Sequence, residues 1–156
     1  MPVRKQNRKP IAIEDLTRMK FVRSVALSPD EETAVFSVEI VAPDQKKYQS
    51  HLWRCRIDGR DLRQLTLGER NDSGPVFSLD GRQIAFVSKR GDHPGIHLLP
   101  TDGGEARTLV EKDGAFAWLS FTPDAKTIVC GFRANDPPPG ADKTVKRQKD
   151  DKTPKL

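Results

Sequence analysis

The chain has 156 residues, of which 35% are hydrophobic, with 27 basic and 22 acidic side chains. No stretch approaches the ~18 apolar residues that a membrane-spanning helix needs, and two cysteines are too few for a disulfide scaffold. The net charge of +5 sits at the ends: residues 1–9 carry +4, residues 134–156 carry +2, and the body between them carries −1. We therefore predict that residues 1–10 and 134–156 are solvated, disordered segments, with a nucleic-acid-binding or membrane-surface arm as the alternative.

The first segment after the basic end is predicted to form a short helix or turn that caps the start of the fold. Ile13, Leu16 and Met19 follow each other at helical spacing within residues 11–19. No apolar run with a small-residue cleavage site follows the basic residues, so we expect no targeting signal and a cytoplasmic location. In such a compartment the two cysteines, Cys55 and Cys130, are expected to be reduced and packed within strands.

An internal repeat dominates the body of the chain. A Ser or Thr followed two residues later by Asp begins at Ser28, Ser78 and Thr122, with spacings of 50 and 44 residues. An Asp-Gly pair at 58–59 recurs at 102–103, again 44 residues apart. Repeats of this length with several short strands in each are typical of β-propeller blades. A β-sandwich with evenly spaced turns is the alternative.

Each copy predicts short antiparallel strands, because β-branched and aromatic residues alternate with polar ones between Pro, Asp and Gly turns. The predicted strands cover residues 22–27, 33–41, 49–56 and 62–67, then 75–78, 83–89, 95–100 and 106–110, and then 116–121 and 126–132.

The predicted fold is all-β. It is an incomplete propeller of about two and a half four-stranded blades, at about 22–67, 73–110 and 116–133, within a domain spanning 11–133. An open blade stack leaves sheet faces and edges uncovered. We therefore expect a fragment of a longer protein, with completion of a ring by oligomerisation as the alternative. The isolated chain is predicted to be marginally stable and to aggregate.

The sequence predicts no catalytic, cofactor-binding or metal-binding residue. It contains no G-x-S-x-G elbow, no glycine-rich phosphate loop and no Cys-x-x-Cys pair. His93 and His97 have a metal-like spacing, but Pro94 and Gly95 between them would break a helix, so we expect a structural or solvated role. No evidence assigns a catalytic role to His51 either.

Two further sets of residues could suggest a function, but a structural role explains each of them more simply. Acidic residues at equivalent turn positions could suggest calcium, but an Asp side chain commonly bonds to the backbone two residues on. These residues are Asp30, Asp80 and Asp124. The two tryptophans, Trp53 and Trp118, are predicted to be core or blade-packing residues rather than a stacking platform.

The Ser-Pro-Asp turn at residues 28–30 and its variants at 78–80 and 122–124, with the strand at residues 81–88, resemble the TolB-like propeller repeat, as does the segment 57–59 followed by Leu65-Thr66. The opening at residues 13–16, running into 26–30, is similar to the start of peptidases of the prolyl oligopeptidase family. The acylaminoacyl-peptidase and dipeptidyl-aminopeptidase branch is the most similar. The resemblance covers about residues 11–133, and residues 134–156 resemble the start of a polar insertion common in the third blade of that family.

This resemblance implies a propeller stacked on an α/β-hydrolase domain that carries a Ser-Asp-His triad. In that family the propeller screens access, so that short peptides enter. None of the triad positions occurs in this sequence, so no catalytic residue is carried over. The implied role is substrate gating and packing on a hydrolase domain, with peptide substrates and no cofactor. The alternative is a non-catalytic TolB-like module that binds another protein.

Overall fold

The computed structural model describes residues 10–42, 44 and 47–135. Most of the two predicted disordered ends lies outside these residues, as do residues 43, 45 and 46. One helix, α1 (Ile13–Leu16), precedes ten strands in the described part of the chain. The helix is shorter than the predicted 11–19. Its first turn is closed by the Asp15 carboxylate, which accepts a hydrogen bond from the Ala12 backbone at 3.0 Å, and Leu16 remains half exposed.

Blade 1 is a four-stranded antiparallel sheet whose strands pair in chain order. Its strands are β1 (Lys20–Leu27), β2 (Thr33–Val41), β3 (Tyr48–Arg56) and β4 (Arg63–Gln64). The fourth strand is shorter than the predicted 62–67. The reason is visible at Leu65 and Thr66, whose backbone amides both turn back to the Leu52 carbonyl and so end the regular ladder.

Blade 2 repeats this arrangement, and blade 3 is described as a two-stranded antiparallel sheet. The strands of blade 2 are β5 (Ser73–Phe77), β6 (Gln83–Lys89), β7 (Pro94–Pro100) and β8 (Arg107–Glu111). Those of blade 3 are β9 (Gly114–Phe121) and β10 (Ile128–Ala134). The predicted all-β, blade-type fold is confirmed.

Blade 2 is buried on both faces, because consecutive side chains of a strand point to opposite sides of the sheet. In β6, Ile84 and Phe86 face blade 1, whereas Ala85 faces blade 3. The contact with blade 1, here the first junction, contains Val35, Leu52, Ile84, Phe86 and Leu99, each at most 1% exposed. The contact with blade 3, the second junction, contains Ala85, Ile96, Leu98 and Leu119.

Trp118, predicted to be a core or blade-packing residue, is 54% exposed among the described residues. The adjacent Leu119 points into the second junction, so Trp118 points to the opposite side of β9. Its indole lies against Gly131, where a Cβ would stand 2.6 Å from the ring nitrogen. Trp53, by contrast, is half-buried.

Candidate functional site

The same pattern of hydrogen bonds forms each of the three repeated turns. In each, the Ser or Thr hydroxyl donates to the Asp Oδ1 atom at 2.5–2.6 Å. The same oxygen accepts the backbone amide two residues further on, at 3.0–3.2 Å. These bonds stabilise the charged carboxylate, and they lower the pKa of Asp30, Asp80 and Asp124 below the usual value. The interpretation of these acids as turn formers is confirmed.

The residue after each turn Asp has a left-handed backbone. Gly81 has φ of 69°, which glycine adopts without a steric penalty. The equivalent Glu31 and Ala125 have φ of 59° and 55°. Glu31 and Ala125 stand where the turn of blade 2 has Gly81. The turn geometry is therefore kept even where the side chain opposes it.

A cleft of about 240 Å³ lies between blades 1 and 2 at the end where these turns cluster. Arg54, at its wall, links the blades: its Nη1 donates to the Thr101 carbonyl of blade 2 at 2.9 Å, and its Nη2 lies 3.3 Å from Asp61. The remaining lining comes mainly from the turns, with Ser28, Asp30, Gly81 and Asp102. Arg54 thus fixes the spacing of the two blades at this end.

A buried ion pair links the same two blades at the opposite end. Asp72 is fully buried, and the Arg90 Nη2 atom lies 3.3 and 3.4 Å from its two carboxylate oxygens. The Asp72 backbone amide donates to the Ser50 carbonyl, and the Ser50 hydroxyl donates to the Asp72 carbonyl at 2.6 Å. The Arg90 guanidinium also stands 5.2 Å from the Phe86 ring centroid. Sequence reasoning missed this pair, because its partners are 18 residues apart and follow no local motif.

The histidines occupy three different environments. His97 is buried within blade 2, where Nε2 contacts the Ser88 carbonyl and Nδ1 contacts the Thr108 hydroxyl, both at 3.2 Å. Burial lowers the pKa of His97 and of His51. His93 lies at the rim with its Nδ1 atom 3.7 Å from Asp113. The structure therefore separates His93 from His97 rather than bringing them together.

The described residues offer little other site chemistry. Within these ranges, no three His, Cys, Asp or Glu side chains converge as a metal site would require. Cys55 and Cys130 are free and half-buried. None of the helices in the described part of the chain has the length and hydrophobicity to cross a membrane. The arrangement provides a cleft between blades 1 and 2 with the Arg54 link at its wall, and a buried ion pair at the opposite end of the same contact between blades.

No protein-family model matches the chain. Curated relatives are nevertheless found. The uncharacterized peptidase YuxL of Bacillus subtilis is 29% identical over 123 residues. Dipeptidyl-peptidase 5 of Porphyromonas gingivalis is 33% identical over 132 residues. These matches cover 78% and 81% of this chain but 19% of each relative. The chain therefore spans about a fifth of the length of the curated relatives that it matches.

Solved structures show the same fold. Acylaminoacyl peptidase from Pyrococcus horikoshii superposes with a TM-score of 0.61 at 17% identity, covering 80% of this chain and 19% of that one. TolB from Acinetobacter baumannii superposes with a TM-score of 0.57 at 23% identity, covering 71% and 26%. The blades described above are of the TolB-like propeller type, and the sequence homologues of the chain are peptidases, as its resemblance to the prolyl oligopeptidase family predicts.

Proposed function

We propose that this chain is the N-terminal propeller portion of a serine peptidase that hydrolyses short peptides, and that it is not catalytic by itself. The observation that carries the proposal is the match of about four fifths of the chain to two peptidases of which it covers only 19%. The chemistry would then belong to an α/β-hydrolase domain outside these 156 residues. The proposal includes a cytoplasmic location, which cell fractionation tests.

The role proposed for the blades is to screen substrates by size. A propeller can do this only if neighbouring blades keep a fixed separation. The polar links at the two ends of the first junction support that requirement. Arg54 bonds to the Thr101 carbonyl at one end, and Arg90 pairs with the buried Asp72 at the other. A link at each end resists hinge-like opening of the cleft between blades 1 and 2.

The coding region and its product test the peptidase assignment. We expect the reading frame beyond Leu156 to encode a G-x-S-x-G motif. We also expect the product of the whole frame to react with a fluorophosphonate probe at one serine. The chain of residues 1–156 serves as the control and should not be labelled. A frame without the motif would overturn the proposal and favour the non-catalytic TolB-like module.

Screening is tested in that whole product by loosening the first junction. Arg54→Met removes the donor to Thr101 but keeps an unbranched, apolar side-chain stem. We expect kcat/KM for a 20-residue peptide to rise relative to kcat/KM for a dipeptide substrate. Arg63→Met is the matched control, because Arg63 is exposed and its Nε lies 3.9 Å from Asp61. An unchanged ratio in a folded Arg54 variant would contradict the screening role.

A further inference from the structure

The cleft beside the Ser/Thr-x-Asp turns has an apolar floor. This floor is formed by Val35, Phe77 and Ile84, which belong to the apolar core of the first junction. The described residues that line the cleft come from blades 1 and 2. Further blades of a longer propeller would stack on the outer faces of blades 1 and 3, so they would not cover it. Its volume of about 240 Å³ lies below the roughly 300–1,000 Å³ of pockets that enclose a drug-sized ligand, so the cleft suits one side chain rather than a whole peptide.

Two carboxylates also line the cleft, those of Asp30 and Asp102. In Asp30, the Oδ1 atom accepts both turn bonds, from the Ser28 hydroxyl and from the Glu32 amide. These bonds leave Oδ2 to accept from a ligand. They also lower the pKa of Asp30, and the charge of the nearby Arg56 contributes least to that lowering. Asp30 therefore presents a negative charge to the cleft at neutral pH.

Asp102 differs from its equivalent in blade 1. In the turn at Asp58, 44 residues earlier, the Arg60 side chain donates to the carboxylate through Nε at 2.8 Å. Blade 2 has Gly104 where blade 1 has Arg60. The Asp102 carboxylate has no hydrogen bond or ion pair with any described residue. The same turn position is thus neutralised in blade 1 and left negative at the wall of the cleft in blade 2.

The basic side chain at the wall does not balance these two carboxylates. Arg54 Nη2 lies 3.3 Å from Asp61, and Arg54 Nη1 donates to the Thr101 carbonyl. None of the other described residues that line the cleft is basic. Opposite charges attract strongly at short range near a protein surface. The cleft is therefore complementary to a group that has an apolar stem and a positively charged head.

We propose that this cleft binds one basic side chain, arginine or lysine, of a short peptide. The aliphatic stem lies over Val35 and Phe77, and the charged head bonds to the carboxylates of Asp30 and Asp102. Basic side chains commonly cover apolar surface with their stems while the heads remain among polar groups. The inference rests on the proposed function in one respect, namely that short peptides are the ligands. It adds that peptides with a basic residue are preferred.

Two dye-labelled peptides that differ only in charge test the proposal. One contains arginine and the other contains citrulline, its neutral isostere, and both ends of each peptide are blocked. Fluorescence anisotropy measures their binding to the product of the whole frame, treated first with the fluorophosphonate so that no peptide is cleaved. We expect the arginine peptide to bind about five- to tenfold more tightly. This preference should shrink between about 0.05 and 0.5 M salt, because salt screens exposed charges. Labelling by the fluorophosphonate reports the peptidase separately, so a failure of either proposal is recognised by itself.

The repeat supplies matched controls for the two carboxylates. Asp102→Asn removes the charge in the cleft, whereas Asp58→Asn removes the equivalent charge outside it. Asp30→Asn and Asp124→Asn form a second pair, because both carboxylates make the same turn bonds and Asp124 lies in blade 3. We expect the first variant of each pair to lose most of the preference for arginine. The second variant of each pair should keep it. Circular dichroism checks that each variant retains its strand content.

Equal affinity for the two peptides in the unmodified product would overturn the proposal. A preference for arginine that persists in a folded Asp102→Asn variant would also overturn it. Because Asp102 bonds to no described residue, this variant tests the cleft even if Asp30→Asn does not fold. A preference lost equally in Asp58→Asn would show that the acidic turns act together at a distance, and it would remove the cleft as the binding site.

Discussion

The two junctions of blade 2 are built differently. The first combines an apolar core with two polar links, the Asp72–Arg90 pair and the bond from Arg54 to Thr101. The second packs on apolar side chains such as Ile96, Leu98 and Leu119. Apolar contacts are non-directional, whereas hydrogen-bonded ion pairs require one geometry. The first junction therefore fixes the relative position of its blades more strictly than the second does.

The largest difference is expected between two equivalent phenylalanines. Phe86 is fully buried in the first junction, whereas Phe36 lies half-buried on the side of blade 1 that points away from blade 2. Phe86→Ala should lower the free energy of unfolding by about 3–5 kcal/mol, because it leaves a cavity. Phe36→Ala should lower it by about 1–2 kcal/mol, because less apolar surface is lost. Urea titration of both variants at one low protein concentration measures the two losses of unfolding free energy. Equal losses would show that Phe36 and Phe86 are buried to the same extent.

The buried ion pair should contribute the next largest effect. Asp72→Asn leaves the Arg90 charge without its carboxylate in a buried site, and we expect a loss of about 3 kcal/mol of unfolding free energy. Asp61→Asn is the control, because the Asp61 side chain is 46% exposed in its pair with Arg54. This substitution should lower the free energy of unfolding by less than about 1 kcal/mol. Denaturant titrations of the two variants compare them. If Asp72→Asn lowers the free energy of unfolding no more than the control does, the ion pair does not stabilise the first junction.

The turn residues should give smaller changes of opposite sign. Glu31 and Ala125 hold left-handed backbones that glycine tolerates, so Glu31→Gly and Ala125→Gly should each raise the free energy of unfolding by about 0.5–1 kcal/mol. Gly81→Ala should lower it by about 1 kcal/mol for the same reason. Thermal denaturation in parallel checks all three. A destabilised glycine variant would mean that the original side chain contributes more than its backbone strain costs.

The smallest effect is expected from pH. Burial lowers the pKa of His97 below its usual 6.5, opposed by the Ser88 carbonyl and by the charges of Asp72 and Glu111, while Arg90 adds to the lowering. The unfolded chain therefore binds the proton first as pH falls, so this contribution to stability is present above pH 6.5 and is lost below it. The unfolding midpoint in urea, measured at pH 7.5 and pH 5.5, should fall less in His97→Gln than in the unmodified chain. An equal fall would assign the pH dependence to other groups.

Much of the fold could be predicted from the sequence, because propeller blades depend on local signals. The Ser/Thr-x-Asp turns and the Asp-Gly turns mark where strands begin and end, and their 44-residue offset gives the blade repeat. The links of the first junction could not be predicted. Arg54 and Thr101 are 47 residues apart, and their contact depends on how two sheets stack. The prediction that Trp118 is a blade-packing residue stays untested, because the side of β9 on which it lies faces no described strand.

The two tryptophans of the chain have a practical consequence. Trp53 lies on the side of blade 1 that points away from blade 2, and Trp118 lies on the side of blade 3 that points away from blade 2, so the two outer faces of the described blades carry one tryptophan each. Indole fluorescence responds to the polarity of its surroundings, so this protein carries one native optical reporter for each end. Replacing either tryptophan with phenylalanine would leave one fluorescent indole. The emission maximum of that indole would show, without an added dye, whether its face is exposed to solvent or covered.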